Sequence, residues 1–190
     1  MLISFLLYAF IMSYTPGPNN LLALDAAAQH GLKKITPFLL GIGLGFMLLA
    51  LSFVFLGEYI QHIFQPFIII IRYVGFIYLI YLAFSMFKTK KTKSCELKIC
   101  CFRDGLLLQF INPKTILYVL TAIGTFVLAE HMSTSLNVLW ALLIGLIGFS
   151  AAITWALLGK LLKLYIEKYY RPYQYTMFSL LMVMAISLLF

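Results

Sequence analysis

Two short stretches hold most of the residues that could do chemistry: Thr15-Pro16-Gly17-Pro18-Asn19-Asn20 and Gln109-Phe110-Ile111-Asn112-Pro113-Lys114. Both combine proline with polar side chains inside otherwise apolar sequence. Proline removes a backbone donor and clashes with the preceding turn, so neither stretch continues as an ordinary helix. Thr15-Pro16 and Asn112-Pro113 each read as an N-cap followed by proline at the first helical position. Each is therefore expected to start a new half-helix, whose free N–H groups and positive dipole end favour an anion. A carboxylate is the natural occupant, with Thr15, Asn19, Gln109 and Asn112 as neutral donors and acceptors around it. Asn20, Gly17, Pro18 and Tyr118 belong to the same candidate binding set.

Ionisable groups near the breaks extend the list. Lys114 lies roughly 13 Å into its apolar run at about 1.5 Å per residue. A charge at that depth is costly and marks a function: holding a carboxylate or switching with a proton. Its bland alternatives are snorkelling to the surface or pairing with a carbonyl freed by the break. Tyr118, Thr121 and Thr125 follow Lys114 at helical spacing and are expected on one face, along an outward path. Asp25 and Asp104 lie nine residues after Pro16 and nine before Pro113. They are candidates for proton coupling or for gating pairs with Lys33, Lys34 or Arg103, the simpler expectation being interfacial carboxylates paired with loop cations.

The elements that position these residues are read from hydropathy. Of 190 residues, 63% are hydrophobic and 11% charged, against about 25% charged in a soluble domain. Runs of about 20 apolar residues, enough to cross a roughly 30 Å hydrocarbon layer, fall at about 2–24, 36–57, 66–87, 105–128, 136–158 and 174–190. The N-terminus lacks a positive n-region and a cleavage site, and reads as a retained first span. Twelve of the fourteen Lys and Arg residues fall in alternate gaps: Lys33–Lys34, the loop 88–104, and Lys160–Arg171. The gaps holding Glu58, His62, Glu130 and His131 have none. By the positive-inside rule the basic gaps are cytoplasmic and both termini lie outside. Five tyrosines between Tyr165 and Tyr175 suit an interfacial belt.

The expected fold is thus all-α and integral to the membrane, a single domain of six helices. Breaks in spans one and four occupy corresponding places in two halves, about 1–87 and 105–190. That pattern points to two inverted three-helix repeats with the site between them. Irregular backbone at membrane depth needs protein or water to satisfy it, so the breaks mark a cavity. Gly41 and Gly45 form a GxxxG pair for close helix packing, and Gly145 and Gly148 are read the same way.

Several functions are disfavoured. The net charge of +8 forms no basic stripe outside the loops, so nucleic acid is not expected as a partner. Three separated histidines and no paired intramembrane acids argue against an enzyme. Cys95, Cys100 and Cys101 make no CxxC pair, and no metal site is expected. With the six acids at edges or in loops, a small uncharged zwitterion fits better than a cationic cargo. The partners expected are that solute and the lipid bilayer, with a homo-oligomer left open.

Thr15-Pro16-Gly17-Pro18-Asn19, continuing Asn20-Leu21-Leu22-Ala23-Leu24, with Gly31 and the Gly41/Gly45 pair, resembles the LysE/RhtB family of amino-acid exporters. Leu108-Gln109-Phe110-Ile111-Asn112-Pro113-Lys114 resembles the family's second signature. Ile116-Leu117-Tyr118, Thr121-Ala122 and Thr125-Phe126-Val127-Leu128 look most like the cysteine and O-acetylserine exporter branch. The resemblance covers nearly the whole chain. It implies a six-helix exporter in a bacterial inner membrane, driven by an ion gradient, protons by expectation, with no cofactor. Related branches move threonine, homoserine, leucine or basic amino acids, and superfamily members carry metal ions. A divalent-metal or other small-solute exporter is the alternative, although hard cations need carboxylate ligands that the breaks lack.

Overall fold

The structure is a computed structural model and describes residues 2–56, 69–70, 73–84, 87, 101–128 and 133–187. Glu58, His62, Arg72, Glu130, His131, Cys95, Cys100 and the lysines of the loop 88–104 lie outside the described residues, as does the end of the sixth expected span.

Every element among the described residues is helical. In chain order they are α1 (Leu2–Tyr14), α2 (Pro18–His30), α3 (Leu32–Phe55), α4 (Tyr73–Phe84), α5 (Phe102–Ile111), α6 (Pro113–Thr121), α7 (Thr134–Lys168) and α8 (Tyr170–Ser187). Alpha-helix α6 runs on into a π-helical turn, Ala122–Val127. Helices α3 and α7 are each long and apolar enough to cross a membrane. At about 1.5 Å per residue, the 24 residues of α3 reach roughly 36 Å. Helices α5 and α6 with the π turn make a third crossing if the bent pair counts as one; the bend is 64°. Helices α1 and α4 are shorter and apolar.

Proline sets where the broken elements begin. Asn112 leaves the α5 helix in an extended conformation, φ −74° and ψ 109°, as the residue before a proline tends to. Pro113 then takes the first position of α6, as the sequence indicated. The first break differs from expectation. The Thr15 N–H still bonds to the Ile11 carbonyl at 3.0 Å, so Thr15 completes the last turn of α1 rather than capping α2. Gly17 is extended ahead of Pro18, and α2 starts at Pro18, two residues later than the sequence suggested. The basic gap after span five is not a loop either: α7 stays helical to Lys168, carrying Lys160 and Lys163 on its end. α8 starts at Tyr170 instead of about 174.

Helix α7 packs along α2 and α3, and α3 along α5. The α3–α5 approach is close enough that a Cβ on Gly41 would strike the Phe102 carbonyl, and one on Gly105 the Phe38 carbonyl. The GxxxG glycines therefore admit a neighbouring backbone, as expected for helices packed in lipid. The main core runs through Phe5, Phe38, Ile42, Tyr118, Ile123 and Ile144. A second cluster joins Leu79 and Ala83 of α4 to Met177, Leu181 and Ala185 of α8. Outward-facing positions are also apolar: Ile3, Leu7 and Ile11 on α1, and Tyr73, Val74, Ile77, Tyr81 and Phe84 on α4. Such stripes at three- and four-residue spacing suit a lipid surrounding.

Candidate substrate site

The two breaks meet. Asn19, in the first turn of α2, donates from its side-chain amide to Gln109 Oε1 of α5 at 2.6 Å and to Thr115 Oγ1 of α6 at 3.3 Å. Its own carbonyl oxygen accepts from Asn112 Nδ2 at 3.0 Å. Gln109 donates on to the Gly105 carbonyl at 3.0 Å, and Asn112 Oδ1 caps α6 by accepting from the Lys114 N–H at 3.1 Å. Gln109, Asn112, Thr115 and Asn19 are all buried, Gln109 at 0% exposure. A buried amide without a partner is costly, and this neutral ring satisfies its members against one another while tying α2 to α5 and α6.

The carbonyls released where α1 ends are accounted for individually, as buried backbone groups require. Asn20 Nδ2 donates to Ser13 O at 2.7 Å and to Thr15 O at 3.0 Å. Trp155 Nε1 of α7 donates to Tyr14 O at 3.1 Å. Lys114 crosses from the second break to the first: its Nζ reaches Thr15 O at 3.0 Å, Thr15 Oγ1 at 2.9 Å and Pro16 O at 3.3 Å. The three N–H groups of the ammonium are matched by three oxygens, none of them a carboxylate. The sequence offered a carbonyl as one partner for Lys114; the carbonyls it meets belong to the other break.

The N-terminus of α2 is different. Gly17 gives no side-chain cap, and Pro18 has no N–H. Gly17, Asn19 and Asn20 of this end line a cavity together with Lys114, Thr115 and Tyr118. The remaining lining comes from Met12, Ser13, Phe46, Asn112 and Gly148. An uncapped helix start beside an ammonium favours an anion by charge and by geometry. The ammonium lies against Gly17, where an added Cβ would meet Lys114 Nζ at 3.0 Å. The cavity leaves about 20 Å³ for the centre of a water molecule, room for about one. A larger guest requires lining side chains to move.

Of the residues singled out by sequence, Gly17, Asn19, Asn20, Asn112, Lys114 and Tyr118 line this cavity. Gln109 stands behind them in the amide ring, Thr15 and Pro16 hold the ammonium, and Pro18 starts the helix. Thr121 and Thr125 are exposed and not part of the lining, so the polar stripe enters the cavity only as far as Tyr118. Sequence reasoning missed Ser13, Thr115, Met12, Phe46 and Gly148 as lining residues. Thr115, three residues beyond Asn112, carried a helical-face signal; Phe46 and Gly148 carried none.

The two aspartates sit apart from the cavity and from each other. Asp25 is 6% exposed and accepts from Gln29 Nε2 at 2.7 Å and from the Tyr173 hydroxyl at 3.4 Å. Asp104 accepts from the Cys101 N–H at 3.3 Å, closing the first turn of α5. The expected pairing with loop cations does not occur among the described residues, where the ion pair present is Lys163–Glu167 at 3.9 Å. Burial explains Asp25, which faces α8 rather than solvent; helix capping explains Asp104.

Residues 10–190 match the LysE type translocator family, and the chain belongs to that family. It is accordingly a membrane transporter rather than an enzyme. It is 32% identical to the cysteine/O-acetylserine efflux protein of Escherichia coli strain K12, over 100% of this chain and 98% of that protein. The proteins of the same description from Shigella flexneri serotype 5b (strain 8401) and Shigella sonnei (strain Ss046) match at the same identity and coverage. No solved structure matches the chain.

Proposed function

We propose that the protein exports small neutral amino acids, of the cysteine and O-acetylserine or the threonine and homoserine kind, across a bacterial inner membrane in exchange for protons. The observation that carries this reading is the uncapped start of α2 facing the Lys114 ammonium across a cavity between two broken helices. A zwitterion's carboxylate satisfies both: it takes the free N–H groups of α2 and draws Lys114 off the Thr15 and Pro16 carbonyls. The rest of the polar lining is neutral, so a cargo without side-chain charge is favoured. The names of the curated relatives agree with a cargo of that class.

Six crossings as two inverted repeats are part of the proposal. Its support is the element order, in which a broken pair, a long helix and a further helix occur twice: α1–α2, α3, α4 and α5–α6, α7, α8. The alternating basic gaps support an orientation with both termini outside. Asp25 is our candidate for proton coupling. It is a buried carboxylate whose hydrogen-bonding partners, Gln29 and Tyr173, are neutral, with His30 near it. It can take up and release a proton without breaking an ion pair. A divalent cation is disfavoured as cargo, because the cavity already presents an ammonium and, among its described lining residues, no carboxylate.

Efflux from cells loaded with labelled cysteine or O-acetylserine tests the proposal. Expression should raise external label well above vector cells; equal release from both would remove the cargo assignment.

A further inference from the structure

The polar groups lining the cavity are engaged to very different degrees. The amides of the ring are held by bonds as short as 2.6 Å, and little of their capacity remains for a guest. Three hydroxyls in the same cavity are loosely held: that of Thr115 is shared with the amide ring at 3.3 and 3.4 Å, and those of Ser13 and Tyr118 stand outside the ring. Ser13 Oγ donates to the Tyr118 hydroxyl at 3.3 Å, and that hydroxyl donates to the Ala9 carbonyl at 3.4 Å. An O–H···O bond is usually about 2.7–2.8 Å, so both are weak. Yet both side chains are buried, Tyr118 at 1% exposure and Ser13 at 6%. Each keeps unused acceptor capacity in a place where water has little room.

We propose that Ser13 and Tyr118 form the subsite that reads the cargo's side chain, and that they take a short chain bearing one hydroxyl, thiol or ester group. This rests on the export reading above. The order of the groups suits such a molecule, which enters once lining side chains have moved. Tyr118 stands one helical turn beyond Lys114 on α6, about 6 Å along the axis. The Lys114 ammonium is held at Thr15 and the Tyr118 hydroxyl at Ser13, two residues apart where α1 ends, so a carboxylate at the ammonium leaves a short side chain at the hydroxyl pair. Phe46 closes the site beyond it, backed by Gly148, where a Cβ would approach the Phe46 ring to 2.9 Å. A chain bulkier than an acetyl ester has to push that ring into α7. A site built to hydrogen-bond a polar side chain discriminates against its apolar isostere, since its own buried groups are then left unpaired.

The test compares cysteine with 2-aminobutyrate, which replaces the thiol with a methyl group, in proteoliposomes holding wild type, Tyr118→Phe or Ser13→Ala. The rate ratio is read within each preparation, so differences in the amount of folded protein cancel. Wild type should prefer cysteine, and each variant should lose about tenfold of that preference, a difference of roughly 1.4 kcal/mol. An unchanged ratio in both variants, or equal loss of both cargos in both, would assign the hydroxyls to packing and overturn the subsite. Wild type that transports neither compound would remove the export reading and the subsite with it. Wild type that transports both without preference would overturn the subsite alone.

Discussion

Replacing Asn19 with alanine removes the amide on which both breaks converge. Three bonds go at once: those to Gln109 Oε1, Thr115 Oγ1 and Asn112 Nδ2. The groups left behind have few alternatives. Gln109 Oε1 keeps a weak contact from Thr115 at 3.4 Å, and Asn112 Nδ2 loses its partner. At 0% and 1% exposure both are shut off from bulk water and lipid. An orphaned buried polar group costs about 1–3 kcal/mol, which puts the pair at roughly 2–6 kcal/mol. Hydrogen bonds between membrane helices average only about 0.6 kcal/mol, because the unfolded chain in the membrane finds other partners. The low end of the range follows, about 2 kcal/mol. Removing Gln109 as well should cost less than the two single losses combined, with a coupling of about 1 kcal/mol, since Asn19→Ala has already stranded that side chain. The assay is unfolding by sodium dodecyl sulfate in mixed micelles, followed by tryptophan fluorescence. Trp155 is a local reporter, being bonded to Tyr14 O at the first break. A variant within about 0.5 kcal/mol of wild type, with additive single losses, would refute the view that this ring locks the breaks together.

Three further outcomes are expected. Lys114→Gln should still insert and fold but lose efflux by about 10- to 100-fold, since a charge-assisted bond to the carboxylate contributes about 1.5–3 kcal/mol; near-normal efflux would leave Lys114 as a backbone cap only. Asp25→Asn keeps the shape and can still accept from Gln29 while donating to the Tyr173 hydroxyl, but cannot exchange a proton; transport in proteoliposomes should stop responding to an imposed pH gradient, and an unaltered response would dismiss Asp25. Cys101, which is exposed, should react with a membrane-impermeant maleimide in inside-out vesicles and not in intact spheroplasts; the opposite pattern would reverse the orientation.

The breaks were legible in the sequence because proline acts locally: Pro113 and Asn112 set the start of α6 through their own backbones. The start of α2 was misplaced because either of two prolines could begin it, and the deciding bond, from the Thr15 N–H to Ile11, belongs to the preceding helix. The GxxxG pair announced a close approach but not its partner; periodicity identifies a face, not the neighbour upon it. Gly105 reciprocates from α5. The same limit hid Phe46 and Gly148, which reach the cavity from α3 and α7, and Tyr173, which meets Asp25 from 148 residues away. Polar residues beside the breaks were recognisable as a group. Their division into a self-satisfied amide ring and a loosely held hydroxyl pair depends on distances that only folding creates.

The central claim is that a carboxylate docks between the α2 N-terminus and Lys114. Its most direct measurement is competition against labelled cysteine transport in proteoliposomes by unlabelled cysteine and by cysteinamide, which lacks the carboxylate. Cysteine should compete fully and cysteinamide at least tenfold more weakly. Equal competition by the two would show that the carboxylate is not what the site holds.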